Sequence, residues 1–391
     1  MPPPILQGDA AFIARERSRR LTSGLMQAGF VLLLLLFLVW LGLNVTDNLQ
    51  QRQIRAGFQF LLAPAGFNIG ESLIDFHPSN SYWLAFIVGL LNTLRAAAAA
   101  IVLATILGVV IGLARLSQHP LVRSFAGAWV QLSRNIPLLI LLLAIYLVFT
   151  ELFPDATEPW SLAGLGLFSK EGLQIAAPLY LGVAIWLGLG LGVGAALLGA
   201  WWQRRGKLQP SLMRSCMQML LCFCVGLALA WVLCGMVGGW SHPQVDGLSI
   251  TGGAALSPEF LALWLGLSFF TSGAIAEIVR AGAQAVPLGQ WRAGLALGLT
   301  RGETIASIIF PQALRLAIPP LTSQYMSLIK NSSLAVLIGY PDVVSIANTT
   351  INQNGQALEC ILIIMAVYLC INLAVSVVMN FFNARVTSAP R

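Results

Sequence analysis

Charge is scarce in this chain. Only 9% of its 391 residues are Asp, Glu, Lys or Arg, against 57% hydrophobic. An ordinary soluble domain carries roughly 25% charged residues, so a soluble fold this poor in charge has too little polar surface to cover itself. Polar interruptions are scarce too: residues 25–43 contain only Gln27 as a strongly polar side chain. About 20 apolar residues in a row cross a bilayer, a length soluble core helices rarely reach. Histidine is limited to His77, His119 and His242, which are scattered. The six cysteines (216, 222, 224, 234, 360 and 370) fall mostly in apolar runs without metal-ligand spacing. Cys222 and Cys224 point to nearly opposite sides of a helix and read as soft apolar filler. A phosphate-binding loop is also missing. Gly206-Lys207 lacks the earlier glycine, and Leu208 follows where Ser or Thr is needed. The chain is predicted to bind no metal or nucleotide of its own and to make or break no covalent bond.

What remains is a set of apolar runs. Eight candidate spans lie at 25–43, 84–113, 122–149, 179–201, 216–238, 259–279, 314–338 and 357–382. The first follows Arg15, Arg17, Arg19 and Arg20, as a secretory signal would. Its apolar part exceeds 15 residues, and Asn44-Val45-Thr46 offers no small-residue cleavage site, so it reads as a retained helix. The second run is too long for one straight span. Ala96 to Leu113 forms its membrane core, Arg95 sits on an outer extension, and Ala96 to Ala100 allows close helix packing. With the N-terminus inside, the inner segments hold 17 Lys and Arg and the outer ones hold 3. Both termini are therefore expected in the cytoplasm. The basic residues are spread over separate loops, so the net charge of +7 reads as an insertion signal and not as nucleic-acid binding. Residues 67–76, within the long outer loop 44–82, are partly apolar. They read as a plain connector, a segment on the membrane surface or a cap on the outer mouth.

The inner segment 280–313 is unlike a linker. Gln290 to Leu297 forms one short helix, Gly298 stops it because glycine reaches positive φ without strain, and Glu303 to Phe310 forms a second that Pro311 closes. Such an apolar helix pair must bury a face against its own helix ends, the lipid interface or a partner protein.

This loop resembles the coupling-loop motif of ABC importer permeases: E-A-A, three residues, G, nine residues, I, any residue, L-P. The match runs through Arg292-Ala293-Gly294, Gly298, Ile308 and Phe310-Pro311, with Leu297 on the same helix. Arg292 stands where the motif has Glu, Gly294 where it has Ala, and Phe310 where it has Leu. Ala276-Glu277-Ile278-Val279-Arg280-Ala281-Gly282 and Pro311-Gln312-Ala313-Leu314-Arg315 resemble the polar amino-acid subfamily. Lys330-Asn331-Ser332-Ser333-Leu334, Ile338-Gly339-Tyr340-Pro341-Asp342 and Arg134-Asn135-Ile136-Pro137 look like the general L-amino-acid permeases. The resemblance covers most of 84–150 and 258–385. It implies an all-α polytopic membrane protein of about eight transmembrane helices, with the type I ABC importer permease fold. It divides the chain into a cytoplasmic tail (1–24), a first helix and long periplasmic loop (25–83), a permease domain (84–385) and a cytoplasmic tail (386–391). The permease domain carries an extra helix pair near 179–238 and a coupling loop at 286–312. The implied partners are a second permease subunit, two ATPases that bind the ATP and Mg, and a periplasmic amino-acid-binding protein. The implied location is a bacterial inner membrane.

Polar residues inside the spans are the candidate substrate contacts. Lys330 lies about 18 Å into a span running 318–338, near the midplane, where a charge costs at least about 2.5 kcal/mol. It is expected either in a buried ion pair, snorkelling along its helix, or lining a cavity with Asn331, Ser332 and Ser333 that holds an amino acid's carboxylate and α-amino group. Arg134 and Asn135, before the span-breaking Pro137, form a second candidate, or an interface arginine beside a structural kink. Glu277 and Arg280, three apart, are expected to pair at the base of the coupling loop. The rival readings are an ion-gradient-driven secondary transporter, for which no internal repeat is evident, and a membrane scaffold.

Overall fold

The computed structural model describes residues 7–51, 57–162, 166–205 and 212–387. Most of the basic N-terminal tail's side chains, Cys216 and the tail beyond 387 lie outside what is described. Twelve α-helices dominate: α1 (Gln7–Gln51), α2 (Tyr82–Ala114), α3 (Pro120–Asn135), α4 (Leu138–Leu147), α5 (Leu181–Arg205), α6 (Leu212–Gly238), α7 (Pro258–Gln284), α8 (Leu288–Ala296), α9 (Arg301–Thr304), α10 (Phe310–Asn331), α11 (Val343–Asn354) and α12 (Ala357–Thr387). Among the described residues, seven helical stretches are long and apolar enough to cross a bilayer, or eight if α3 and α4 form one broken span.

The core is α2 laid against α7. Both run the same way: Ser268 meets Ala100, Gly108 lies against Ser272 and Ile275, and Gly112 against Ala276 and Val279. Small residues make this contact. Ala96, Ala97, Ala100 and Ala104 are fully buried in it. A Cβ on Gly112 would stand 2.8 Å from the Ala276 carbonyl oxygen. Without water to drive association in lipid, such close backbone approach supplies the packing energy. α10 runs antiparallel to α7, with Ala313 against Gly282, and its Tyr325 hydroxyl lies 2.9 Å from that of Thr105 on α2.

The third expected span is a corner. α3 and the helix that follows it meet at 102°. Pro137 has no N–H to continue α3, and it drives Ile136 into extended backbone (φ −82°, ψ 124°). The corner falls beside Gly273, where Ser133 packs, near the middle of α7. α4 then climbs α7 past Gly266 until the Tyr146 hydroxyl reaches Glu259 at 3.3 Å. α2, read as a membrane core with an outer extension before it, is one continuous helix over Tyr82–Ala114.

The loops at the end of the bundle opposite α8 contain strands that the sequence reading did not anticipate. β1 (Trp160–Ser161), β2 (Gly166–Ser169), β3 (Gly172–Ile175) and β8 (Ala254–Leu256) form a four-stranded antiparallel sheet in the order β1-β2-β3-β8. β4 (Ala177–Pro178) pairs with β5 (Trp240–Ser241), and β6 (Gln244–Asp246) with β7 (Ser249–Thr251). The β4–β5 pair closes the base of the α5–α6 hairpin. That hairpin zips through glycine, since a Cβ on Gly226 would stand 2.7 Å from the Gly192 Cα. The two ends of the bundle are called the strand face and the loop face below.

The α2–α7 contact has a direct test. Gly112→Ala is expected to cost about 1–3 kcal/mol and to lower the melting temperature in detergent. Gly127→Ala, where a Cβ meets nothing within 4 Å, is expected to leave it unchanged.

Candidate functional site

The loop face is built around α8. Gly298 (φ +78°) ends it in a left-handed cap. The Gly298 N–H donates to Leu295 O at 3.0 Å, and the Leu299 N–H to Gly294 O at 3.2 Å, the paired bonds that satisfy orphan carbonyls at a helix end. Thr300 and Glu303 then cap α9 reciprocally: the Thr300 N–H donates to Glu303 Oε2 at 2.8 Å, and the Glu303 N–H to Thr300 Oγ1 at 3.3 Å. The second helix does not end at Pro311 as expected. A wider π turn, Ile305–Ile309, leads straight into α10. A turn with i→i+5 bonds spares the N–H that proline lacks.

α8 rests on that turn through Gly294, buried against Thr304 and Ile308. Trp291 and Ile308 face inward, onto a cluster of Ala283, Val286, Ile309 and Ala313. The other side of α8 is open. Leu288, Arg292 and Leu295 share one stripe at i, i+4 and i+7 and are exposed, as are Ala293 and Leu297, the latter at 78%. Ile308, the Ile of the motif, is half-buried and packs beneath α8.

Beneath α8, the Glu277 carboxylate joins two helices. Arg280 donates to it from the same helix, with Nε at 3.0 Å, and Arg115 reaches it from the end of α2. Arg280 also donates to Gln284 Oε1 at 2.5 Å. Arg134 lies within electrostatic reach of Glu277. Sequence spacing found Arg280 but could not find Arg115, which lies 162 positions away. A cavity of about 470 Å³ opens nearby between the α2–α3 turn and the π turn, lined by Leu113, Leu116, His119, Ile305 and Phe310 among others.

The structure separates the predicted substrate contacts. Lys330 sits about 8 Å beyond Tyr325 toward the strand face. Tyr325 is level with the middle of α7 through Thr105. Lys330 is exposed and makes no ion pair with a described residue. Ser332 is fully buried and donates to Ile329 O at 2.7 Å, and Ser333 donates to Lys330 O at 2.7 Å. Both belong to a 3₁₀ segment, Ser332–Ile338. Lys330, Asn331, Ser332 and Ser333 therefore do not line one open cavity in this chain. Arg134 and Asn135 are exposed beside the corner, and no described hydrogen bond joins them to Lys330.

On the strand face, the segment after α1 is tied down. Its hub is Glu71, which accepts from Arg95 of α2 and from the Ser257 hydroxyl at 2.5 Å, while its backbone oxygen accepts from Asn92 at 2.8 Å. The Arg95 guanidinium lies 4.3 Å from the Phe260 ring centroid. The Gly57 N–H donates to Glu359 of α12 at 2.6 Å. Among the three sequence readings of 67–76, the structure favours a cap. It walls a cavity of about 330 Å³ with Ser257, Glu259, Pro341, Ser345 and Thr349. An arginine inside an apolar run demanded a partner, and that was the available signal for Glu71. Among the described residues, no three His, Cys, Asp or Glu gather into a metal site.

This arrangement, a broken-span bundle with an apolar hairpin on one face, belongs to a known class of membrane transport subunit. A family model for binding-protein-dependent transport system inner membrane components matches residues 100–388. The putative amino-acid ABC transporter permease protein YhdX of Escherichia coli is 42% identical over 361 residues, 90% of this chain and 91% of its own length. The general L-amino acid transport system permease protein AapQ of Rhizobium johnstonii is 37% identical over 364 residues, 92% and 91%. The glutamate/glutamine/aspartate/asparagine transport system permease protein BztB of Rhodobacter capsulatus is 36% identical over 401 residues, 93% of each. The chain belongs to the binding-protein-dependent inner membrane component family. It is a multi-pass permease with the type I importer fold, a transport subunit and no enzyme.

The Glu71 hub predicts the behaviour of the cap. Glu71→Ala leaves Arg95 half-buried without its carboxylate and is expected to cost about 1–3 kcal/mol. Limited proteolysis should then cut within 57–80 several-fold faster than in the wild type.

Proposed function

We propose that this chain is one permease half of an ATP-driven importer that carries L-amino acids into the cytoplasm by alternating access. The observation that carries this reading is the open stripe of α8. A short helix with Leu288, Leu295 and Leu297 exposed, held rigidly by a glycine cap and a packed inner side, is suited to docking on a partner. In an ABC importer that partner is the ATPase, which binds the ATP and Mg. The loop face is then cytoplasmic, in keeping with the basic residues counted on that side, and the strand face receives a soluble binding protein. Both termini lie in the cytoplasm. A second permease subunit, a different chain in this reading, completes the pore. The exposed corner at Arg134 and Asn135 and the exposed Lys330, which makes no ion pair with a described residue, are the polar side chains offered to that pore. The substrate class follows from the relatives, whose names specify general L-amino acids and the acidic and amide amino acids.

Arg292 lies between Leu288 and Leu295 on the docking stripe, in place of an acidic motif residue. It calls for an acidic or neutral contact on the ATPase subunit that serves this half, and where the second half carries the acidic motif residue the two halves engage their ATPases differently.

The test is reconstitution of the full complex in lipid vesicles. Uptake of radiolabelled L-amino acids is expected to require ATP and binding protein and to survive an uncoupler. Uptake without ATP that collapses with the uncoupler supports an ion-gradient mechanism instead. Burying a leucine is worth about 1.5–3 kcal/mol, so Leu297→Asp is expected to weaken ATPase retention about tenfold or more with the melting temperature unchanged. Ile308→Asp is expected to lower the melting temperature, because it strikes the packing beneath α8.

A further inference from the structure

The connection from α10 to α11 contains a feature that transport coupling does not use. α10 ends as an α-helix at Asn331, continues as the 3₁₀ segment, turns at Gly339 (φ +84°) and reaches Asp342, the cap of α11. Asp342 is fully buried. One carboxylate oxygen, Oδ1, accepts from the Ser345 N–H at 2.8 Å. The other, Oδ2, has no hydrogen-bond partner among the described residues. Across from it on α12 stands the Tyr368 hydroxyl, which faces Asp342, Ser332 and Ser333. That hydroxyl is also buried and also completes no hydrogen bond. The two groups lie within hydrogen-bonding range of each other, but neither completes a hydrogen bond of good geometry.

An unpartnered buried carboxylate oxygen and hydroxyl, side by side, call for an explanation. Two buried oxygens left without a partner in a low-dielectric interior are costly, and a polar group between them would remove that cost. The polar side-chain groups that face Tyr368 offer oxygen donors: the Asp342 carboxylate and the hydroxyls of Ser332 and Ser333, both of which donate to backbone carbonyls and keep lone pairs free. This is a hard donor set carrying a single negative charge. Calcium takes six to eight oxygens, several from carboxylates, and magnesium demands a near-octahedral shell. A singly charged metal ion matches one carboxylate. Broken helices place exposed backbone and side-chain oxygens together, and that is where membrane transporters hold such ions.

We infer that Asp342, Tyr368, Ser332 and Ser333 form a binding site for a monovalent metal cation of sodium size, which locks α10, α11 and α12 together at the break. The site lies level with the first turn of α7, since Val343 N–H meets Thr93 of α2 at 3.2 Å and Asn92 bonds Pro341. It sits behind the wall of the strand-face cavity and apart from α8. The inference goes beyond the proposed transport reading and does not depend on it.

The experiment uses the purified full-length chain, with its partner subunits where they co-purify, and reads thermal unfolding. NaCl is varied from 1 to 100 mM at pH 8, with choline chloride holding ionic strength constant. The melting temperature is expected to rise with the logarithm of sodium concentration, by about 2–4 °C over that range. Asp342→Asn keeps an acceptor for the α11 cap but loses the charge, and should abolish the rise. Tyr368→Phe should shift its midpoint to about tenfold higher sodium, and serves alone if the Asn variant fails to fold. Equal melting temperatures in sodium and choline overturn the inference and leave a bridging water or proton in the gap. A sodium response undiminished in Tyr368→Phe, or in a folded Asp342→Asn, overturns it by placing the ion elsewhere. None of these outcomes depends on whether the complex hydrolyses ATP or moves amino acids.

Discussion

The fold depends on how close α2 and α7 come to each other. Gly108 and Gly112 of α2 sit where any side chain would strike α7, and the alanines before them keep the approach tight. In lipid there is no hydrophobic reward for helix association, so backbone proximity and a few polar ties do that job. The ties sit at the two ends of the pair: Glu71, Arg95 and Ser257 on the strand face, Glu277 and Arg115 on the loop face. With α2 and α7 fixed at both ends, α3, α4, α10 and α11 have a rigid surface to pack on.

Much of this was legible in the residues, for reasons that differ by element. Hydropathy located the spans because a bilayer imposes a length on them. Gly298 announced the end of α8 because positive φ has a strong residue preference. The motif's departure at Gly294 now has a local reason: the Thr304 methyl occupies the space where an alanine Cβ would sit, 2.6 Å away. Proline was harder to read. At Pro137 it made a right-angled corner where a kink was expected, and at Pro311 a π turn absorbed it where a stop was expected. The same missing N–H has two outcomes, and tertiary packing chooses between them.

The remaining gaps come from distance along the chain. Arg115 and Glu277, or Asp342 and Tyr368, meet only after the helices have packed, and no local pattern pairs them. The strands are invisible for another reason. β1, β4 and β5 are two residues long, too short for any alternation to register, and β8 joins β3 across the whole α5–α6 hairpin.

The course of α10 has a mechanical consequence. The π turn carries α9 into α10 without an intervening loop, and α10 runs on past Pro319 and Pro320 to the 3₁₀ break at Ser332, so one continuous helix links the loop face to the far third of the bundle. Since α8 leans on this helix through Gly294, a shove against the hairpin cannot dissipate in slack chain. It must either tilt the whole helix or be taken up where the hydrogen-bond ladder is weakest, first at Pro319-Pro320, where two N–H donors are missing, and then at the 3₁₀ stretch from Ser332 to Ile338. Those two joints lie roughly 17 and roughly 36 Å from the Ile308 contact where the push is delivered.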